Sequence, residues 1–328
     1  MEDIRIYDTD FNLLKIENDV ISSNWTVYFN GVGTFEIHTL TDTGLAEIII
    51  DNMDLQNNKI PLVAQGDLQG VVTGVRLGED FAIYGRTCNW FLSRKVVPEF
   101  KSSDLPVTCN PEEIARYIVA NAFSDQKNFT LDEKVGLEDI DNFWRNTYNP
   151  LSQVVQEVLL VQNAGHRLSF NPSAKKWIFS VIPPKQSNVI LSESNKNAFN
   201  TEYTYSIDGY CSACWYEQEQ PFTDGEFPDP VWTRFVKDEK TGIFSSECVS
   251  WATVESEAES HIKEKTVKSE IVTDVCGLKF GEDFNLGDIL RVQFVNGRIK
   301  RTEKKQISGV SLGWEEGLES RQVILNNI

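Results

Sequence analysis

Histidine is scarce in this chain: there are three, His38, His166 and His261, each in a separate stretch. No H-E-x-x-H or comparable pair occurs, so a hydrolytic metal site or a Ser-His-Asp triad would have to recruit one of them from a distance. The structural reading is favoured for all three. The six cysteines, Cys88, Cys109, Cys211, Cys214, Cys248 and Cys276, are too thinly spread for a disulfide scaffold. No apolar run is long enough to span a bilayer, so no membrane insertion is expected. The opening Met1-Glu2-Asp3-Ile4-Arg5 lacks the basic region and apolar core of a secretion signal, and folding in a bacterial cytoplasm is expected. There is no Walker loop, and Gly31-x-Gly33 lacks the strand-to-helix context of a dinucleotide site. Basic residues are also in deficit. Lys and Arg total 31 against 49 Asp and Glu, a formal net charge of -18 that opposes non-specific binding to nucleic acid.

What the chain does have is a β-rich beginning and end. Ile4 to Asp8, Trp25 to Phe29, Thr34 to His38, Gly70 to Arg76 and Asp80 to Arg86 alternate or run apolar as short strands, with a hairpin signal at Asn30-Gly31. The character changes near Asn110-Pro111, where an N-cap, an N1 proline and two glutamates open a helix with a stripe at Ile114, Tyr117 and Ile118. A second helix is predicted to open at Asn149-Pro150, line one face with Leu151, Val154, Val155, Val158 and Leu159, and stop at Gly165. A hairpin turning at Asn171-Pro172-Ser173 completes this α+β stretch. Beyond it, strands are predicted over Glu202–Ser206, Tyr210–Tyr216, Trp232–Val236 and Phe244–Val249, then a helix from about Val254 to Lys265. An acidic, glycine-bearing corner follows, Phe280-Gly281-Glu282-Asp283-Phe284-Asn285-Leu286-Gly287-Asp288. It leads into Ile289–Val295, a tight Asn296-Gly297 hairpin, a return strand beginning Arg298–Arg301, and a closing strand over Ser320–Leu325.

The fold class these segments define is mainly β with an α+β insertion. Residues 1–105 read as a small β-barrel or sandwich, 106–184 as the inserted helix/hairpin domain, and 185–328 as a second β region carrying the one helix near 254–265; the resemblance given below implies a small β-barrel for each of the two β regions. No catalytic, cofactor-binding or metal-binding residue is assigned. The lone C-x-x-C, Cys211-Ser212-Ala213-Cys214, lacks a second pair for zinc, and on a strand its two thiols would face opposite ways. The carboxylate clusters Glu79-Asp80, Glu138-Asp139-Asp141, Glu217-Glu219, Glu282-Asp283 and Glu315-Glu316 read as solvated loops of an acidic protein. Trp215, Trp232 and Trp251 sit in strand patterns, where core packing or a subunit interface is favoured over sugar stacking.

Several stretches taken in order resemble one family. They are Asp3–Asp8, Gly33–Ile37, Ile83-Tyr84-Gly85-Arg86 followed by Leu92–Val96, Asn149-Pro150-Leu151, Leu191–Asn197 and Phe284–Ile289. Their order and spacing are similar to those of siphovirus Gp37-like tail proteins of phages and prophages, and through them to hub proteins of tail tips and baseplates. The resemblance implies a non-enzymatic virion component made in the host cytoplasm, with two barrels per chain and an insertion between them. It implies a homotrimeric ring in the assembled tail, which can be a monomer in isolation. The implied neighbours are a distal tail or tail tube protein, a tape measure protein, and a central spike or receptor-binding protein. DNA is met only in transit through the bore, and no cofactor is implied. The alternatives are a tail-associated cell-wall hydrolase and a glycan-binding adhesin; the chain lacks room for a long C-terminal lysin extension.

Overall fold

The computed structural model describes residues 3–41, 43–97, 110–140, 149–218, 231–250, 255–315 and 317–328. Cys109, Asp141, Glu219, Trp251, Val254 and Glu316, singled out above, lie outside these residues.

The first part of the chain forms β1 (Ile4–Tyr7), β2 (Leu13–Glu17), β3 (Val20–Tyr28), β4 (Thr34–Thr39), α1 (Leu45–Asp51), β5 (Leu62–Gln65), β6 (Leu68–Leu77), β7 (Phe81–Thr87) and α2 (Trp90–Ser93). The alternation read in Thr34–Thr39 is realised: Phe35 and Ile37 are buried while Glu36 and His38 are partly exposed. β2, β5, α1 and α2 carry little periodicity and were not anticipated.

The middle of the chain forms α3 (Pro111–Ala122), β8 (Phe129–Leu131), α4 (Leu151–Leu160), β9 (Gly165–Asn171) and β10 (Lys176–Ile182). Asn110 caps α3 as the sequence indicates, its Oδ1 accepting from the backbone N–H groups of Glu112 at 3.0 Å and Glu113 at 3.2 Å. Every apolar residue of the α4 stripe is buried. The stop of α4 differs from expectation. Asn163 takes the left-handed conformation at φ 51°, and Gly165 instead opens β9. Both helices and the β8-β10-β9 sheet share one apolar core with Tyr7, Phe11, Leu62 and Val71 of the first part.

The remainder forms β11 (Lys185–Ser192), β12 (Ala198–Ser206), β13 (Ala213–Gln218), β14 (Val231–Val236), β15 (Glu247–Val249), α5 (Glu255–Glu264), β16 (Lys268–Val275), β17 (Asp288–Asn296), β18 (Ile299–Glu315) and β19 (Leu318–Asn326). Three of the strands expected in a second barrel leave it: β14-β13-β15 make a separate small sheet covered by α5.

The expected pair of closed barrels is not what the ladders show. The other strands of both β regions belong to one thirteen-stranded sheet, in the order β12-β16-β19-β18-β3-β4-β7-β6-β5-β1-β2, with β17 and then β11 branching from β18. No ladder closes on itself among the described residues. The physical reason is β18. The return strand, legible only as far as Arg301, runs seventeen residues. One edge carries β19. The other carries β17 along Ile299–Gln306 and then β3 along Gly309–Glu315. The register shifts between Ile307 and Gly309, where the edge passes from one neighbour to the other. A single core accordingly spans both halves, with Ile4, Trp25 and Phe35 in the same cluster as Ile271, Leu290 and Val323.

Candidate functional site

All three parts of the chain meet at Phe29. Its backbone N–H donates to the Ser308 carbonyl of β18 at 2.9 Å, and its own carbonyl accepts from His166 N–H of β9 at 3.2 Å. The ring is 3% exposed. It lies against the backbone of Gly165 and of Gly287, where any added Cβ would fall inside its van der Waals envelope. Gly287, the last residue of the corner before β17, also needs its φ of 85°. Two glycines, one from each of the other parts, thus make room for one aromatic wedge.

Amide side chains fasten the same seam. Gln306 donates to the carbonyls of Asn163 at 2.9 Å and Gly287 at 3.2 Å. Asn89 donates to the Gly31 carbonyl at 2.9 Å and accepts from Leu168 N–H at 2.7 Å. Gln69 both donates to and accepts from the backbone of Phe170, each at 2.8 Å, as a neighbouring strand would. Beside them lies a cavity of about 150 Å³, lined among others by Tyr28, Gln69, His166 and Leu286. Burial pushes the His166 imidazole down to about 4, so it is neutral near pH 7. Its Nδ1 has no hydrogen-bond partner.

The histidines remain apart. His38 pairs with Asp80 and Glu36 on the sheet surface, where Arg76 also meets Glu36 at 3.0 Å. Its hydrogen bond holds the Asp80 carboxyl below the usual range. His261 lies on α5. The carboxylate clusters make local contacts: Glu282 pairs with Lys279 at 3.2 Å, and Asp139 accepts from Asn110 at 3.0 Å. Among the described residues no group of His, Cys, Asp or Glu has metal-binding geometry.

Two readings are corrected by the small sheet. Cys211 precedes β13 and Cys214 lies in it, so strand alternation does not govern the pair. Cys214 and Cys248 are register partners across β13 and β15, and the Cys248 thiol donates to the Ala213 carbonyl at 3.7 Å. Trp232 is 41% exposed and not part of a core. Trp215 donates to Glu247 at 2.8 Å, and Arg234 donates to the same carboxylate at 2.9 Å.

Other residues that organise the molecule escaped sequence reasoning. Lys305 is fully buried in β18, its ammonium donating to the Ser269 carbonyl and hydroxyl and to Asn327 at 2.7–2.9 Å, with Glu303 at 3.0 Å. Glu112, one of the two glutamates that open α3, is 1% exposed and accepts from the backbone N–H groups of Val135 and Gly136 at 2.8 Å. A charge at an alternating strand position, or at a helix start, gives no sign of such partners. The outermost strands of the large sheet carry exposed apolar side chains, Leu13 and Ile16 on β2 and Phe199 and Tyr205 on β12.

A mainly β chain with this seam has the fold of prophage tail proteins. It superposes on the 43 kDa tail protein of prophage MuSo2 from Shewanella oneidensis with TM-score 0.60 at 12% identity, covering 99% of this chain and 98% of that one. It superposes on the tail protein from Neisseria meningitidis MC58 with TM-score 0.61 at 12% identity, covering 99% and 96%. Prophage tail protein gp18 from Listeria monocytogenes EGD-e gives TM-score 0.55 at 11% identity, covering 99% and 94%. No curated protein matches by sequence. The family model of the Siphovirus ReqiPepy6 Gp37-like proteins matches residues 3–221, and the chain belongs to that family.

Proposed function

We propose that this protein is a structural, non-catalytic hub of a phage or phage-like tail tip. Three copies form a ring that continues the tail tube and connects it to distal components. In this reading residues 1–105 and 185–328 act as two like-shaped β walls, 106–184 is the insertion between them, and three chains supply six walls around a bore. The supporting observation is the shared strand: β18 pairs with β3 and β17 along one edge, so the two walls are held at one fixed angle. A ring that converts sixfold to threefold symmetry needs that angle to be the same in every copy. Two of the three end strands of the sheet, β2 and β12, with their exposed apolar side chains, are the surfaces through which copies and neighbours would join. The neighbours are a tail tube or distal tail protein, a tape measure protein, and a spike or receptor-binding protein. The net charge of -18 suits a bore from which DNA phosphates are repelled in transit.

Imaging of the intact particle tests this. Three copies in a ring at the tube end, with an acidic bore, are expected. A different copy number, or a basic bore, overturns it. The exposed Trp232, beside Trp215, Arg234 and Glu247, favours a glycan-binding adhesin as a second reading. Binding to host wall polysaccharide that is lost in Trp232→Ala would promote it.

A further inference from the structure

The ammonium of Lys305, fully buried on β18, sits among four oxygens. The Ser269 carbonyl lies at 2.9 Å, the Ser269 hydroxyl at 2.7 Å, Asn327 Oδ1 at 2.7 Å and Glu303 Oε2 at 3.0 Å. An ammonium has three N–H groups, so one oxygen is left over. The strand ladder produces this arrangement. Gln306 of β18 faces Asn326 of β19 in an antiparallel pair, and the next step of the same register sets Lys305 opposite Asn327. Glu303, two residues earlier on β18, shares the Lys305 face of the strand. The Tyr203 hydroxyl donates to its other oxygen at 3.4 Å. Asn327 is the loosest member: it is exposed, and its Nδ2 donates to the Val267 carbonyl at 3.2 Å.

A primary amine, a carboxamide and a carboxylate held in contact, with the amine out of water, are the groups that an amide exchange needs. We propose that Lys305 and Asn327 join in an intramolecular isopeptide bond, with Glu303 as the acid–base catalyst. The hydrogen-bonded pair is the state before reaction. Glu303 takes one proton from the Lys305 ammonium. The two N–H groups that remain serve the Ser269 carbonyl and hydroxyl, and the lone pair is left for Asn327. Turning the exposed Asn327 side chain about χ2 brings its carboxamide carbon over that lone pair. The amine attacks Cγ, the Nζ–Cγ bond forms, and the carbonyl electron pair moves to Oδ1. Glu303 delivers its proton to Nδ2, the carbonyl re-forms, and the Cγ–Nδ2 bond breaks with ammonia as the leaving group. The second proton lost by Nζ leaves with the ammonia. In total –NH₃⁺ and –CONH₂ become –CO–NH– and NH₄⁺, with no change of oxidation state. Asn327 lies at the surface, so the ammonia has a path out. The bond shuts the open end of the β18–β19 hairpin and makes a covalent ring of the stretch that also pairs with β3.

The test incubates the purified full chain at neutral pH, denatures it, digests it with trypsin and maps the peptides by mass. The intact chain is expected to be lighter by one ammonia than its sequence requires. A peptide that retains Lys305 uncut is expected to be joined to the peptide that begins at Gln322. Glu303→Gln and Asn327→Ala are expected to keep their full mass and to be cut at Lys305. A wild-type chain of full mass that is cut at Lys305 overturns the proposal. So does a loss of ammonia with Lys305 still cut, the mark of a succinimide formed at an asparagine. A Glu303→Gln chain that links as fully as the wild type overturns the role given to Glu303. The wild-type map decides the bond itself even where a variant fails to fold.

Discussion

Gly287 and Gly297 both hold left-handed backbone, at φ 85° and φ 58°. Their surroundings differ: a Cβ at Gly297 meets open space, whereas one at Gly287 meets the Phe29 ring. Gly297→Ala is therefore expected to cost about 1 kcal/mol, the conformational penalty alone. Gly287→Ala adds overpacking and costs about 3 kcal/mol or more, readable by urea denaturation of the pair. Lys305→Met removes a buried ammonium and the donor that serves the Ser269 carbonyl and hydroxyl, a loss of about 2 kcal/mol in the same assay. His166 gives a pH signature. Its folded value of about 4 lies below the ordinary 6.5. Between these values the unfolded chain binds the proton and the native chain does not. Stability from this group is thus full above pH 6.5 and declines by about 3 kcal/mol as pH falls through 4. His166→Phe is expected to flatten that slope relative to the wild type, measured as denaturation midpoint against pH.

At the scale of elements, β18 holds the halves together. A proline at Ser311, within the stretch that pairs with both β3 and β19, breaks ladder hydrogen bonds on a central strand. Ser311→Pro is expected to split a cooperative thermal transition into two, visible by scanning calorimetry. A single transition of unchanged midpoint would show the ladder to be dispensable. This element also marks where the sequence was readable. Asn110-Pro111, the α4 stripe and the Asn296-Gly297 hairpin carry local signals, and each sits where those signals put it. The length of β18 was hidden. Beyond Arg301 the strand carries Lys304 and Lys305, and Gly309 and Gly313 weaken any strand pattern. The basic residues pair with β17, and the glycines are tolerated because β19 and β3 flank them and Tyr28 and Ser320 fill the space beside them. The seam was half legible. The corner at Gly287 stood out, but nothing near Phe29 or Gly165 announces a partner more than a hundred residues away. The small sheet was hidden for the same reason, since the separation of β13–β15 from the large sheet is decided by contacts with α5.

For the whole molecule, charge and shape pull in opposite directions. Each copy carries -18, so copies brought together in the proposed ring would repel one another over a Debye length. Raising salt from about 50 mM to about 500 mM shortens that length roughly threefold. The mass by light scattering is expected to shift from monomer toward trimer over this range. A mass that falls with salt would indicate association through ion pairs instead. The double-sided pairing of β18 carries one last implication, for how such a chain can diversify. Side chains alternate along a strand, so one residue inserted midway through β18 would put the positions beyond it out of phase with those before it and turn core-facing side chains outward on one side. Length changes are then confined to the hairpin tips and to the segments hung from the sheet, and relatives of this chain should differ in loops while keeping the residue count of this strand.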